Sequence, residues 1–392
     1  MDYLNVHHFS KTFRLYIYIY IGIVLPLDLV ISANPQNFLR MGFAIAFMLL
    51  LFSCNILGGQ SQDSNALVPA IITFGDSSVD VGNNDYITTF FKADFPPYGR
   101  DFKNKQPTGR FCNGKLATDI TAETLGFTSY PPAYLSPQAS GKNLLIGANF
   151  ASAGSGYYDH TAISSHVIPL SQQLEYYKEY QSKLAKIAGS KKASSILSGA
   201  LYLVSSGSSD FIQNYYVNPY LNKLYTPDEF SSFLVSIFTK FVKDLYGLGA
   251  RKIAVTTLPP LGCVPASITL FGYGSNECVP RLNVDSQGFN KKLNAAVNSL
   301  AKQHPKLKIA VFDIYTPLKD LATDPSKNGF FEARKGCCGT GTVETSVLCN
   351  PKSVGTCANA TGYVFWDSVH PTEAANQVIA NSLVLAGISL VA

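Results

Sequence analysis

The run VPAIITFGDSSVDVGNN, residues 68–84, decides the architecture. Its first half, VPAIITF at 68–74, is a short, nearly unbroken apolar segment with β-branched and aromatic residues. Strands buried on both faces look like this. Gly75 then breaks the run, and a polar turn carrying Asp76, Asp80, Asn83 and Asn84 follows. Those side chains are suited to binding loop amides. A buried strand opening into a glycine turn is the unit from which parallel sheets are built.

Working outward, the same kind of run recurs. LLIGANFA (144–151), GALYLVSSG (199–207), RKIAVTTL (251–258) and KIAVFDIY (308–315) are the further strand candidates. Helical patterns separate them. LATDITAETLGF (116–127) groups Leu116, Ile120 and Leu125. LSQQLEYYKEYQSKLAKIAG (170–189) closes on Gly189. TPDEFSSFLVSIFTKFVKDLYGLG (226–249) opens on a Thr-Pro-Asp-Glu cap signal. NVDSQGFNKKLNAAVNSLAKQ (283–303) and HPTEAANQVIANSLVLAG (370–387) complete the set. Strand and helix in alternation imply right-handed crossovers and a parallel sheet covered on both faces. The expected fold is a single doubly wound α/β/α domain of about five strands, flavodoxin-like, over residues 66–392.

The 392 residues carry a net charge of +5 from 31 basic and 26 acidic side chains, with no basic run longer than a pair such as Lys191–Lys192. This argues against a nucleic-acid partner. At 46% hydrophobic and 15% charged, the chain has ample material for a large core. Two apolar runs precede the domain, at roughly 15–33 and 42–57, the second directly after Arg40 and Met41. The second is short for a membrane helix, which needs ~20 apolar residues, and reads as a secretory signal over 41–60 behind an upstream extension, 1–40. A membrane anchor built from the first run is the rival reading.

Eight cysteines fit an exported chain. Cys54 falls in the signal. Cys263 and Cys278 are spaced for a local bridge, while Cys337, Cys338, Cys349 and Cys357 allow two more of open connectivity, leaving Cys112 unpaired. No CxxC pair or histidine cluster suggests a metal site, and no cofactor is expected. The sequon at Asn359 is a candidate for glycosylation.

Chemistry concentrates in two places. Ser77 sits in the turn after the first strand, where ligands bind in such sheets. At the other end of the chain, WDSVHPT (366–372) holds Asp367 and His370 three residues apart. On a helical turn that spacing brings the carboxylate to one ring nitrogen and frees the other. Of the histidines after the signal, His160, His166 and His304 have no acid at this spacing.

These blocks, together with NGKLATD (113–119), GANFASAGSG (147–156), LPPLGCVP (258–265), KGCCGTG (335–341) and YVFWDS (363–368), resemble the plant esterase/lipase branch of the GDSL, or SGNH-hydrolase, family. The resemblance spans nearly all of 68–387. It implies a secreted, extracellular serine esterase or lipase, with small-molecule, lipid or cell-wall esters as substrates. Ser77 would be the nucleophile, with His370 and Asp367 completing the triad. The implied oxyanion donors are the backbone N–H groups of Ser77 and Gly154 and a side chain from the third block. That block usually reads Gly-x-Asn-Asp; here it is Gly207-Ser208-Ser209-Asp210, so Ser209 replaces the amide. An acyltransferase, or a hydrolase-like binding protein, is the alternative. Tyr157, Tyr158, Tyr215 and Tyr216 are candidates to line an acyl groove.

Overall fold

The computed structural model describes residues 66–391. The extension expected at 1–40 and the signal at 41–60 lie outside the described residues. Five parallel strands, β1 (Ile71–Gly75), β2 (Gly147–Asn149), β3 (Leu201–Ser205), β4 (Lys252–Thr256) and β5 (Lys308–Phe312), form one sheet in the order β2-β1-β3-β4-β5. This is the doubly wound arrangement expected, and every strand lies inside its quoted run. The chain winds one way from β1 to β2 and the other way from β3 on. The carboxyl end of β1 therefore sits at the reversal of strand order, where such sheets bind ligands.

Side chains alternate across the sheet with period two. Ile72, Phe74, Tyr202, Val204, Ile253 and Val255 face one layer. That layer contains helices α2 (Leu170–Ala188), α3 (Ser190–Gly199), α4 (Pro227–Gly247) and α6 (Pro280–Gln303), separated in the chain by α5 (Pro265–Phe271). Ile71, Leu201, Leu203, Ala254 and Phe312 face the other layer, which contains α1 (Ala117–Thr124), α7 (Tyr315–Thr323) and α8 (Glu373–Val391). The α4 start signal works as written: the Thr226 hydroxyl accepts the Glu229 N–H, and the Glu229 carboxylate accepts the Thr226 N–H at 2.8 Å.

A third apolar cluster surrounds Tyr98, Phe111 and Trp366 and includes Cys337, Cys338 and Cys349. Here a short parallel pair, β6 (Glu332–Gly336) and β7 (Tyr363–Phe365), carries the segment into Asp367. Bridges join Cys263 to Cys278, Cys337 to Cys357 and Cys338 to Cys349, which resolves the connectivity left open; Cys112 is free and buried. Among the described residues, no helix is long and apolar enough to cross a membrane.

Candidate active site

The turn after β1 is built by close backbone approach. Gly75 has φ of +145°, and a Cβ there would lie 1.8 Å from the Ser205 carbonyl oxygen, so only glycine fits. Gln173 of α2 braces the turn, its side-chain oxygen accepting the Gly75 N–H and its amide donating to the Gly75 carbonyl, both at 2.9 Å. Asp80 accepts N–H bonds from Gly82, Asn83 and Ala153. Asn83 donates to the carbonyls of Asn149 and Ala151, and Asn84 to those of Phe91 and Ala153. The polar cluster thus stitches the Ser77 turn to the GANFASAGSG block.

The third block joins through Asp210. Its carboxylate accepts the N–H groups of Tyr157 and Tyr158 and the Thr161 hydroxyl. A Cβ on Gly156 would collide with that carboxylate at 2.2 Å. Three segments remote in sequence therefore converge at the carboxyl edge of the sheet.

The histidine arrives from the opposite end of the chain. Asp367 is fully buried and accepts N–H bonds from Val369 (2.8 Å) and His370 (2.7 Å). The expected helical turn is absent: 366–370 form a bend between β7 and α8, which starts only at Glu373. The three-residue spacing works because the carboxylate closes this bend on its own backbone. His370 Nδ1 lies 2.9 Å from both Asp367 oxygens. With Nδ1–H donating to the carboxylate, Nε2 is the acceptor for the Ser77 hydroxyl, at 2.7 Å. Ser77, His370 and Asp367 thus meet in one hydrogen-bonded chain across 293 positions.

Two further donors hold Asp367. The Tyr98 and Thr345 hydroxyls reach its second oxygen at 2.8 and 2.9 Å. Burial alone would raise the Asp367 carboxyl; the charge and hydrogen bonds of His370, with the Val369 N–H, outweigh it and hold the carboxyl below its ordinary value. The disulfide loop clamps the same strand, with Cys337 and Cys338 donating their N–H groups to the carbonyls of Phe365 and Trp366. Gln173, Tyr98 and Thr345 were not singled out from the sequence. Their contacts span 98, 269 and 22 positions, and no local motif marks them.

Neither Gly154 nor Ser209 lines the cavity under Ser77; Ser208 does. Gly154 and Ser209 are both buried, with Gly154 at φ of +84° beside the Phe91 ring. The four tyrosines do not line that cavity either. Tyr157 packs against Phe238 and Phe289, and Tyr215 stacks on Phe230, so their apolar bodies are consumed by the core. Asn359 is exposed, its side-chain oxygen accepting from Thr361.

Burial pushes the Asp210 carboxyl up to about 7 and that of Asp80 to about 6, against an ordinary 3.8. Between those values the folded chain binds more protons than the unfolded chain, so stability falls as pH rises through the window. Asp367, shifted the other way, acts only below 3.8. The melting temperature is therefore expected to drop from about pH 5 to about pH 8, and Asp210→Asn to flatten that drop. A melting temperature that is level or rising across this range in the wild type would contradict the assignment.

The profile of the GDSL-like Lipase/Acylhydrolase family matches residues 71–383. The chain is 70% identical to the GDSL esterase/lipase APG of Arabidopsis thaliana over 325 residues, covering 83% of this chain and 92% of that protein. It is 62% identical to the Arabidopsis thaliana GDSL esterase/lipase At5g03820 over 327 residues, 83% of this chain and 92% of the relative. A third, At5g03810 of the same plant, is 57% identical over 90% of this chain and all of its own length.

Proposed function

The chain belongs to the GDSL-like lipase/acylhydrolase family, and from that premise we propose that it hydrolyses carboxylic esters through an acyl-enzyme on Ser77. The observation that carries this reading is the unbroken chain of contacts from Ser77 Oγ through His370 to Asp367. Ser77 Oγ attacks the ester carbonyl as Nε2 of His370 takes its proton. The tetrahedral intermediate collapses, the C–O bond to the alcohol breaks, and Nε2 returns the proton to the departing alkoxide. Water then attacks the acyl-enzyme, losing a proton to Nε2; the Ser77–acyl bond breaks and Ser77 Oγ recovers that proton. Asp367 fixes the tautomer and stabilises the imidazolium formed at each transfer.

The oxyanion donors are assigned to the backbone N–H groups of Ser77 and Gly154, with Ser209 in the place of an asparagine. This assignment follows the family pattern. A serine hydroxyl is shorter than an amide and must rotate to donate. Ser209→Asn is therefore expected to raise kcat by roughly tenfold, a part of the ~10²–10³-fold that one such donor is worth. A lower kcat in that variant, with the fold intact, would refute Ser209 as the donor.

We assign the working chain to an oxidising, extracellular compartment, with a signal at 41–60 and a glycan on Asn359. Three disulfides support the compartment. The activity is tested on p-nitrophenyl esters, with product analysis in the presence and absence of an alcohol. Free carboxylic acid as the main product in both supports hydrolysis; a new ester replacing it would identify an acyltransferase.

A further inference from the structure

Resting on that reading, we propose that the acyl arm of the substrate threads down into the molecule, between the sheet and helix α8, and that a three-residue constriction sets its length. A cavity of about 120 Å³ is lined at its mouth by Ser77 and His370. Its floor is the period-two row that faces α8: Leu203 of β3, Ala254 of β4 and Phe312 of β5. Its roof is Ile379 and Leu383 of α8, with Thr121 of α1 at the side. Beside Ser77 the Ser78, Ser205 and Thr256 hydroxyls bond in a row at 3.2 and 2.9 Å. The Thr121 hydroxyl is spent on the Ala117 carbonyl within its own helix.

Protein cores rarely leave voids larger than a water molecule. This one opens at the proposed nucleophile and is walled mainly by hydrocarbon. A cavity of about 150 Å³ takes up benzene, so this chamber suits a tail of roughly five or six carbons. A second chamber of about 90 Å³ lies beyond it, with Thr121, Phe312 and Leu383 as the wall between the two. That chamber reaches Leu201, at the far end of β3, and ends among the exposed side chains of Leu67, Val384 and Ile388. From Ser205 to Leu201 the path is four strand residues, or ~13 Å at ~3.3 Å per residue.

The acyl arm is the fitting occupant because it stays bonded to Ser77 after the alcohol leaves. A slot roofed by helices retains what is attached, whereas the alcohol must escape.

The test compares kcat/KM along two ester series in the wild type, Ala254→Phe and Leu383→Ala. One series lengthens the acyl chain on a fixed p-nitrophenol; the other lengthens the alcohol on a fixed acetyl group. Each methylene buried in the transition state is worth roughly fourfold. In the acyl series, Ala254→Phe is expected to lower the hexanoate-to-acetate ratio at least tenfold, by about two displaced methylenes. Leu383→Ala, which opens the shared wall, is expected to raise the decanoate-to-hexanoate ratio. Ratios are taken within each variant, so a general loss of folded protein cancels, and Leu383→Ala does not depend on fitting a new ring. Acyl ratios unmoved in the active variants overturn the proposal, as does a response confined to the alcohol series. A wild type that hydrolyses no ester in either series instead overturns the functional reading beneath it.

Discussion

Ser77→Ala is expected to lower kcat for ester hydrolysis by about 10⁵–10⁶-fold, with KM nearly unchanged. In the proposed mechanism Ser77 Oγ forms and later breaks the bond to the acyl group, and no neighbour replaces it. The nearest other hydroxyl in the turn, Ser78, already donates to Asp76 at 2.5 Å and lies against Ser205. His370→Ala is expected to lose activity on a similar scale, since the hydroxyl is a weak nucleophile without a base at 2.7 Å. Because the two groups act as a unit, the double variant should be scarcely worse than either single one. Additive losses, each multiplying the other, would mean that Ser77 and His370 do not serve one step.

Asp367→Asn is expected to cost about 10⁴-fold in kcat, more than a lost hydrogen bond alone would cause. One carboxylate oxygen accepts the Val369 and His370 N–H groups, so the asparagine carbonyl takes that place. Its NH₂ then falls where Tyr98, Thr345 and His370 Nδ1 now converge. Donation from that amide to Nδ1 forces the proton onto Nε2, and Nε2 can no longer accept the Ser77 proton. The bend that places His370 is kept, which separates tautomer from position. Steady-state kinetics on a p-nitrophenyl ester, beside the melting temperature of the variant, checks this. A loss below about tenfold would show that Asp367 is only a structural cap.

What could be read from the sequence was whatever local pattern encodes. The five strands declared themselves as short apolar runs, although β5, at the edge, is half-buried at 309–311, and Ile72 and Ala254 meet opposite helical layers. The Asp367–His370 pair was visible as a spacing, yet its cause was misread. The contact comes from a carboxylate-capped bend, which shares the three-residue span with a helical turn. The disulfide cysteines were visible as a set but not as pairs, since loop proximity decides pairing. Gln173, Tyr98 and Thr345 were invisible because each reaches its target only after helices and β7 have packed. The four tyrosines were candidates for either a groove or ordinary packing, since they follow the active-site blocks in sequence; folding turned Tyr157 and Tyr215 into the core. The cavity under Ser77 needs residues from three strands and three helices at once, and no single stretch announces it.

The most direct measurement is mass spectrometry of the purified protein after reaction with an alkyl phosphonate ester, an analogue that captures an activated serine. One adduct is predicted, on the peptide containing Ser77, absent in Ser77→Ala and formed far more slowly in His370→Ala. An unlabelled wild type, or an adduct on any other residue that survives Ser77→Ala, would contradict the account.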